Sequence, residues 1–191
     1  MKTLRPRLIS ILVLLLPALG FSGAPKPQWM LEKSTITYTV THPLHVVDGK
    51  SSSALGKGVC YAQHCEFLVA VRVDSFNSGD ENRDLHMLEV TRAGVNPMIQ
   101  VKAKTPEISS AKKPKSVMAD LEVTFAGKTV EYPKVRLDVV EWKSEEAHIT
   151  GSFSLSLKAF DIKAPSLLTM PVKDEVPIKL DMVWKRTVST K

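Results

Sequence analysis

Thirteen residues, Ser78 to Val90 (SGDENRDLHMLEV), gather Asp80, Glu81, Arg83, Asp84, His86 and Glu89. Carboxylates beside an imidazole are the parts of general acid–base chemistry. A working base needs a partner that orients it. Asp84 and His86 stand at i and i+2, and on a helix such positions do not face each other. No Gly-x-Ser-x-Gly elbow occurs. The cluster therefore reads as scaffold, with Arg83 and Asp84 tying a short helix to the barrel rim by charge-assisted hydrogen bonds. No catalytic residue is assigned. His42 and His45 flank Pro43-Leu44, and His86 is the third imidazole that folding could bring to them. Three imidazoles would suit zinc or copper. On a regular strand, i and i+3 face opposite sides, so the better reading is histidines hydrogen-bonded at a rim, with no metal and no other cofactor. Cys60 and Cys65 enclose Tyr-Ala-Gln-His, a spacing that does not match the Cys-x-x-Cys of redox or zinc sites. In an oxidising compartment they form a disulfide across a hairpin, which stabilises by roughly 2 kcal/mol in the chain-entropy model.

The elements that must position these residues are written in twos. Thr35-Ile36-Thr37-Tyr38-Thr39-Val40 alternates polar and apolar, and so does Phe67 to Val73. Val117, Ala119, Leu121, Val123 and Phe125 share one parity against Asp120 and Glu122. Ile149, Phe153, Leu155 and Leu157 alternate with serines, and Val176, Ile178, Leu180, Met182 and Trp184 close the series. Such alternation makes strands with one dry and one wet face. Eight strands are predicted, near 34–42, 56–61, 66–73, 98–105, 116–126, 129–142, 147–158 and 175–186. Ala126-Gly127-Lys128 is a hairpin signal. Two stretches lack alternation. Residues 79–92 fit a short helix capped by Asp80 or Ser78, with Leu85 and Leu88, together with Met87 or Val90, turned inward as a lid or plug. Residues 161–174 form a greasy irregular insert. An eight-stranded meander has open edges unless it closes. The predicted fold is all-β with short helical inserts, an eight-stranded antiparallel up-and-down barrel.

The N-terminus adds compartment. Lys2, Arg5 and Arg7 precede an apolar run from Leu8 to Phe21, too short for a stable membrane anchor. Residues 1–20 read as a secretory signal, cut after Gly20 or as late as residue 23, and residues 28–186 as one barrel domain in the periplasm. Cleavage removes three basic and no acidic residues, so a formal charge of +6 falls to +3. The one basic cluster, Lys112, Lys113 and Lys115, sits in a Ser/Pro-containing loop without aromatics, so nucleic acid is not an expected partner.

Four stretches, in this order, resemble the YceI-like family of exported, lipocalin-like bacterial barrels associated with polyisoprenoid binding: Ser34–His42, Phe76–Met87, Gly151–Leu157 and Pro165–Leu168. The most specific is Asn82-Arg83-Asp84-x-His86-Met87. Asn96-Pro97 stands where many members carry Tyr-Pro. The resemblance implies a hollow barrel and a long-chain isoprenoid or quinone-type lipid as partner. Transient contact with a membrane surface fits that role, and monomer and dimer are both compatible with it.

Strand parity nominates the inward side chains: Ile36, Tyr38, Val40, Phe67, Val69, Val71, Leu121, Val123, Phe153, Leu155, Ile178, Leu180 and Met182. They either fill the barrel or line a lumen for one elongated apolar ligand. The expected role is binding, sequestration or transport of such a lipid. Two other readings follow from the same residues: a metal-assisted or acid–base enzyme at the His42/His45/His86 mouth, and a ligand-free stress-response interaction module. The cysteine reading is checked by alkylation. The non-reduced, exported protein should offer no reactive thiol by intact mass.

Overall fold

A computed structural model describes residues 28–106, 114–167 and 170–187. The signal segment, Lys112, Lys113 and Leu168 lie outside them. The strands are β1 (Trp29–His42), β2 (His45–Ser51), β3 (Leu55–Cys60), β4 (His64–Arg72), β5 (Met98–Pro106), β6 (Ser116–Phe125), β7 (Lys128–Trp142), β8 (Glu146–Ser156), the two-residue β9 (Ser166–Leu167) and β10 (Met170–Pro171), and β11 (Glu175–Arg186). One helix, α1 (Glu81–Val90), lies between β4 and β5.

The strands follow one another round the wall as an antiparallel meander, and β1 pairs with β11 to close it. The result is a closed eight-stranded barrel, although one more long strand is present than the alternation predicted. β2 and β3 share one place in the wall. β1 pairs with β3 at Trp29 and Met30, then with β2 from Ile36 to His42. The sequence of β2, HVVDGKS, carries Asp48, Gly49 and Lys50, which are poor strand formers. The ladder to β1, not propensity, makes it a strand.

The meander gives the barrel two unlike ends. The β3–β4 hairpin, with its Cys60–Cys65 disulfide between register partners, marks one end. The β1–β2 and β6–β7 hairpins, α1 and the insert between β8 and β11 mark the other. The β6–β7 turn has Ala126 at φ 50° and Gly127 at φ 82°. Positive φ at both central residues gives the twist that a two-residue hairpin needs.

The helix begins where Asp80 accepts a hydrogen bond from Arg83 N at 3.0 Å. It ends where the Thr91 hydroxyl donates to Met87 O at 2.7 Å. None of its residues is fully buried. Met87 packs against the barrel core, but Leu85, expected to turn inward, is 53% exposed. The predicted tie from Arg83 and Asp84 to the barrel is also corrected. Arg83 donates to Ser78 Oγ and Ser78 O, each at 3.2 Å, and Asp84 accepts from Ser78 N at 3.1 Å. These bonds fold the helix back on its own leading loop. The anchor to the barrel is Arg92, at φ 56°, whose Nη2 donates to Ala126 O at 2.7 Å and Phe160 O at 3.2 Å. One side chain thus joins the helix end, the β6–β7 turn and the buried Phe160 of the insert.

Removing Arg92 leaves two part-buried carbonyls without this charged donor. Arg92→Ala should cost about 1–3 kcal/mol in chemical denaturation. Arg83→Ala, whose bonds are exposed and local, should cost less than Arg92→Ala.

Candidate functional site

The interior of the barrel is an apolar cavity of about 720 Å³. Protein interiors are close-packed, with few voids larger than a water molecule, so a space of this size is a property of the wall. All thirteen inward candidates line it: Ile36, Tyr38 and Val40 on β1; Phe67, Val69 and Val71 on β4; Leu121 and Val123 on β6; Phe153 and Leu155 on β8; Ile178, Leu180 and Met182 on β11. Trp29, Trp142 and Trp184 line the disulfide end, together with Cys60 and Cys65.

Alternation put these side chains on the inner face, but glycines keep the space open. Gly49 is the register partner of Tyr38, and Gly58 that of Phe67. A methyl on Gly49 would stand 2.3 Å from the Tyr38 ring, and one on Gly58 would stand 2.4 Å from the Phe67 ring. Each ring therefore lies flat over a bare stretch of the opposite backbone. Gly56 gives the Trp184 ring the same room, a Cβ there falling 2.7 Å from it. Edge contact between Phe67 and Trp184, with centroids 5.1 Å apart, holds this arrangement. Sequence reasoning missed these glycines. Their signal was parity, since Gly56 and Gly58 flank the outward Lys57.

Polar residues also line the cavity, and at the helix end they include His42, His45, Arg83 and His86. His42 is buried, and both ring nitrogens are engaged: Nδ1 accepts from Leu44 N at 3.2 Å and Nε2 donates to Met170 O at 3.0 Å. The imidazole latches the insert onto the mouth and has no lone pair free for a metal. The i, i+3 objection was misplaced. His42 and His45 are partners across the β1–β2 turn, with ring centroids 5.0 Å apart. His86 reaches the cavity mouth on α1, exposed, with Nδ1 3.4 Å from Glu89 Oε2. Among the described residues no group of three His, Cys, Asp or Glu side chains is placed to hold a metal ion. Of the motif, Asn82 is exposed, Arg83 and Asp84 hold Ser78, and Met87 lines the cavity. Burial pushes the Tyr38 hydroxyl above its ordinary pKa, and the charge of Asp84 adds to this while Arg83 opposes it. The arrangement offers shape and apolar surface.

The family model described as the YceI-like domain matches residues 29–184. The chain belongs to the YceI-like family. Solved structures carry the same barrel. A polyisoprenoid-binding domain from Saccharophagus degradans, implicated in plant cell wall breakdown, superimposes with a TM-score of 0.71 at 12% identity, covering 85% of this chain and 100% of that one. BcnA of Burkholderia cenocepacia gives 0.65 at 16% identity, covering 78% of this chain and 95% of that one. The Campylobacter jejuni YCEI protein gives 0.52 at 13% identity, covering 65% and 73%. A comparison with curated proteins finds no match. At these identities the likeness is one of fold, so residue roles in this YceI-like domain rest on its own geometry.

The glycine argument is open to a direct test. Gly58→Ala forces the Phe67 ring into the lumen or away from Trp184. A loss of about 1–3 kcal/mol is expected from overpacking in denaturant melts, and a crystal structure of the variant should show a smaller cavity.

Proposed function

We propose that this protein binds a long apolar lipid of the polyisoprenoid or quinone type and sequesters or carries it in the periplasm. The observation that carries the proposal is the apolar cavity of about 720 Å³ running through a closed barrel. Pockets for small ligands span roughly 300–1,000 Å³. Each CH₂ moved from water into such a wall contributes about 0.8 kcal/mol. A few isoprene units therefore offset the entropy of capture without any charged contact. The binding step is burial of a chain in a preformed space, and no bond is made or broken. The polyisoprenoid-binding description of the Saccharophagus degradans domain supports the ligand class.

Compartment and loading rest on separate features. The signal-like segment at residues 1–20 and the Cys60–Cys65 bridge both suit an exported, oxidised protein. Leu44 at 61%, Val46 at 63% and Leu85 at 53% exposure surround the helix end. Apolar side chains around the opening of an apolar cavity support brief contact with a membrane surface. Among the described residues no helix is long and apolar enough to cross a bilayer.

Leu155 lies on the lumen wall opposite Val176. Leu155→Trp adds apolar bulk there without charge. In a variant shown to be folded by circular dichroism, the bound chain should shorten or binding should be lost. Extraction and mass spectrometry of co-purified lipid, with titration by isoprenoids of graded length, reads this. Equal retention of long chains by both proteins places the ligand outside the lumen.

A further inference from the structure

One seam of the barrel wall is weaker than the rest. β1 and β3 share only the register pairs Trp29–Gly58 and Met30–Lys57, the shortest ladder in the wall. Pairing with β2 begins at Ile36, so Leu31 to Thr35 have no register partner on that side. Gln28 extends the seam a little: its N donates to Gly58 O at 2.8 Å, and its Oε1 accepts from Cys60 N at 3.2 Å. Beyond Met30 the strands meet by van der Waals contact, a Cβ on Gly56 falling 2.9 Å from Leu31 Cβ. β3 also brings little to hold itself in place. Its inward positions are Gly56, Gly58 and Cys60, and glycine gives a strand nothing to pack. Cys60 is the one inward side chain of β3, and it is bonded to Cys65, which is 1% exposed.

We infer that the β1–β3 seam is a lateral gate into the lumen and that the Cys60–Cys65 disulfide is its lock. This rests on the lumen reading above and adds redox control of exchange to it. For the seam to part, β3 must swing outward about its ladder to β4. That swing flattens the wall and draws the inward side chains of the two strands apart. A covalent bridge between the inward Cys60 and Cys65, register partners at the end of that ladder, opposes the motion directly. Opening the lock is a two-electron exchange. A small dithiol gives two electrons and two protons to the Cys60 and Cys65 sulfurs and leaves as its own cyclic disulfide. The reductant must be small, because the bridge lines the lumen and Cys65 is buried. Reduction leaves every ladder of the wall intact, so β3 opens locally while the barrel stays folded.

The full mature chain is loaded with squalene, a hydrocarbon that needs no polar contact, and its transfer to phosphatidylcholine vesicles is timed by mass spectrometry. Reduction with dithiothreitol should speed transfer about thirtyfold, the opening that a cross-link closing so short a loop withholds. The dissociation constant for squalene should stay nearly unchanged, because a gate speeds entry and exit alike. Amide hydrogen exchange should quicken in residues 55–60 and from Gln28 to Met30, and not in β6, β7 or β8. Cys60→Ser combined with Cys65→Ser should behave as the reduced chain. Adding Met30→Cys and Lys57→Cys, at register partners across the seam itself, should restore slow transfer in that background once the new pair is oxidised. Equal transfer by oxidised and reduced protein, a loss of affinity as large as the gain in rate, or hydrogen exchange that quickens throughout the barrel would overturn the gate. Fast transfer that persists with the seam cross-linked also overturns it, since the lipid then leaves by the helix end, and the lumen reading stands. An oxidised protein that takes up no squalene rejects the lumen reading and the gate together.

Discussion

The ladder between β1 and β11 is the contact on which the rest depends. It runs from Trp29 opposite Arg186 to Tyr38 opposite Ile178. Without it the meander would present two long unpaired edges, each a template for association. With it, every strand acquires an inside and an outside. Closure also stops the apolar faces from collapsing on one another, because a wall bonded all the way round keeps its circumference. A barrel of this strand number can be filled by its own side chains or left able to hold a ligand. Small residues against large ones, Gly49 under Tyr38 and Gly58 under Phe67, decide for the second.

The two ends solve different problems. Disulfide, paired aromatic rings and the two terminal strands meet at one end, with Trp29 and Trp142 centroids 5.7 Å apart. The other end is built from segments that break the alternation, and polar side chains hold them in place. Arg92 ties the helix to the β6–β7 turn and to Phe160, and His42 ties the insert to β1. Asp174 secures both sides of the insert, accepting from Ser156 Oγ and Lys158 N, and those bonds hold its carboxyl below the usual pKa. The charged run Ser78–Val90, the most reaction-like stretch of the chain, is a clamp and a helix cap. Arg83 and Asp84 are engaged with their own loop, and His86 stands exposed at the mouth beside Glu89.

Much of this was legible in the residues. The alternation of Ile36, Tyr38 and Val40, or of Ile178, Leu180 and Met182, fixes which side chains share a face, because strand geometry reverses direction at every residue. All thirteen such residues meet in one cavity. The cysteine spacing and the Ala126-Gly127 turn were likewise local matters, each settled within a few residues.

Tertiary structure decided what depends on distance across the barrel. That the inner face encloses a space, that His42 and His45 pair across a turn, that β2 is a strand, that Leu85 faces solvent and that Thr105 lacks a partner all follow from which segments become neighbours. Period two says toward which side a residue points, and nothing about how far away the opposite wall stands. That distance is set by the register of ladders joining residues far apart in sequence, and by glycines whose effect appears only when a ring lies over them.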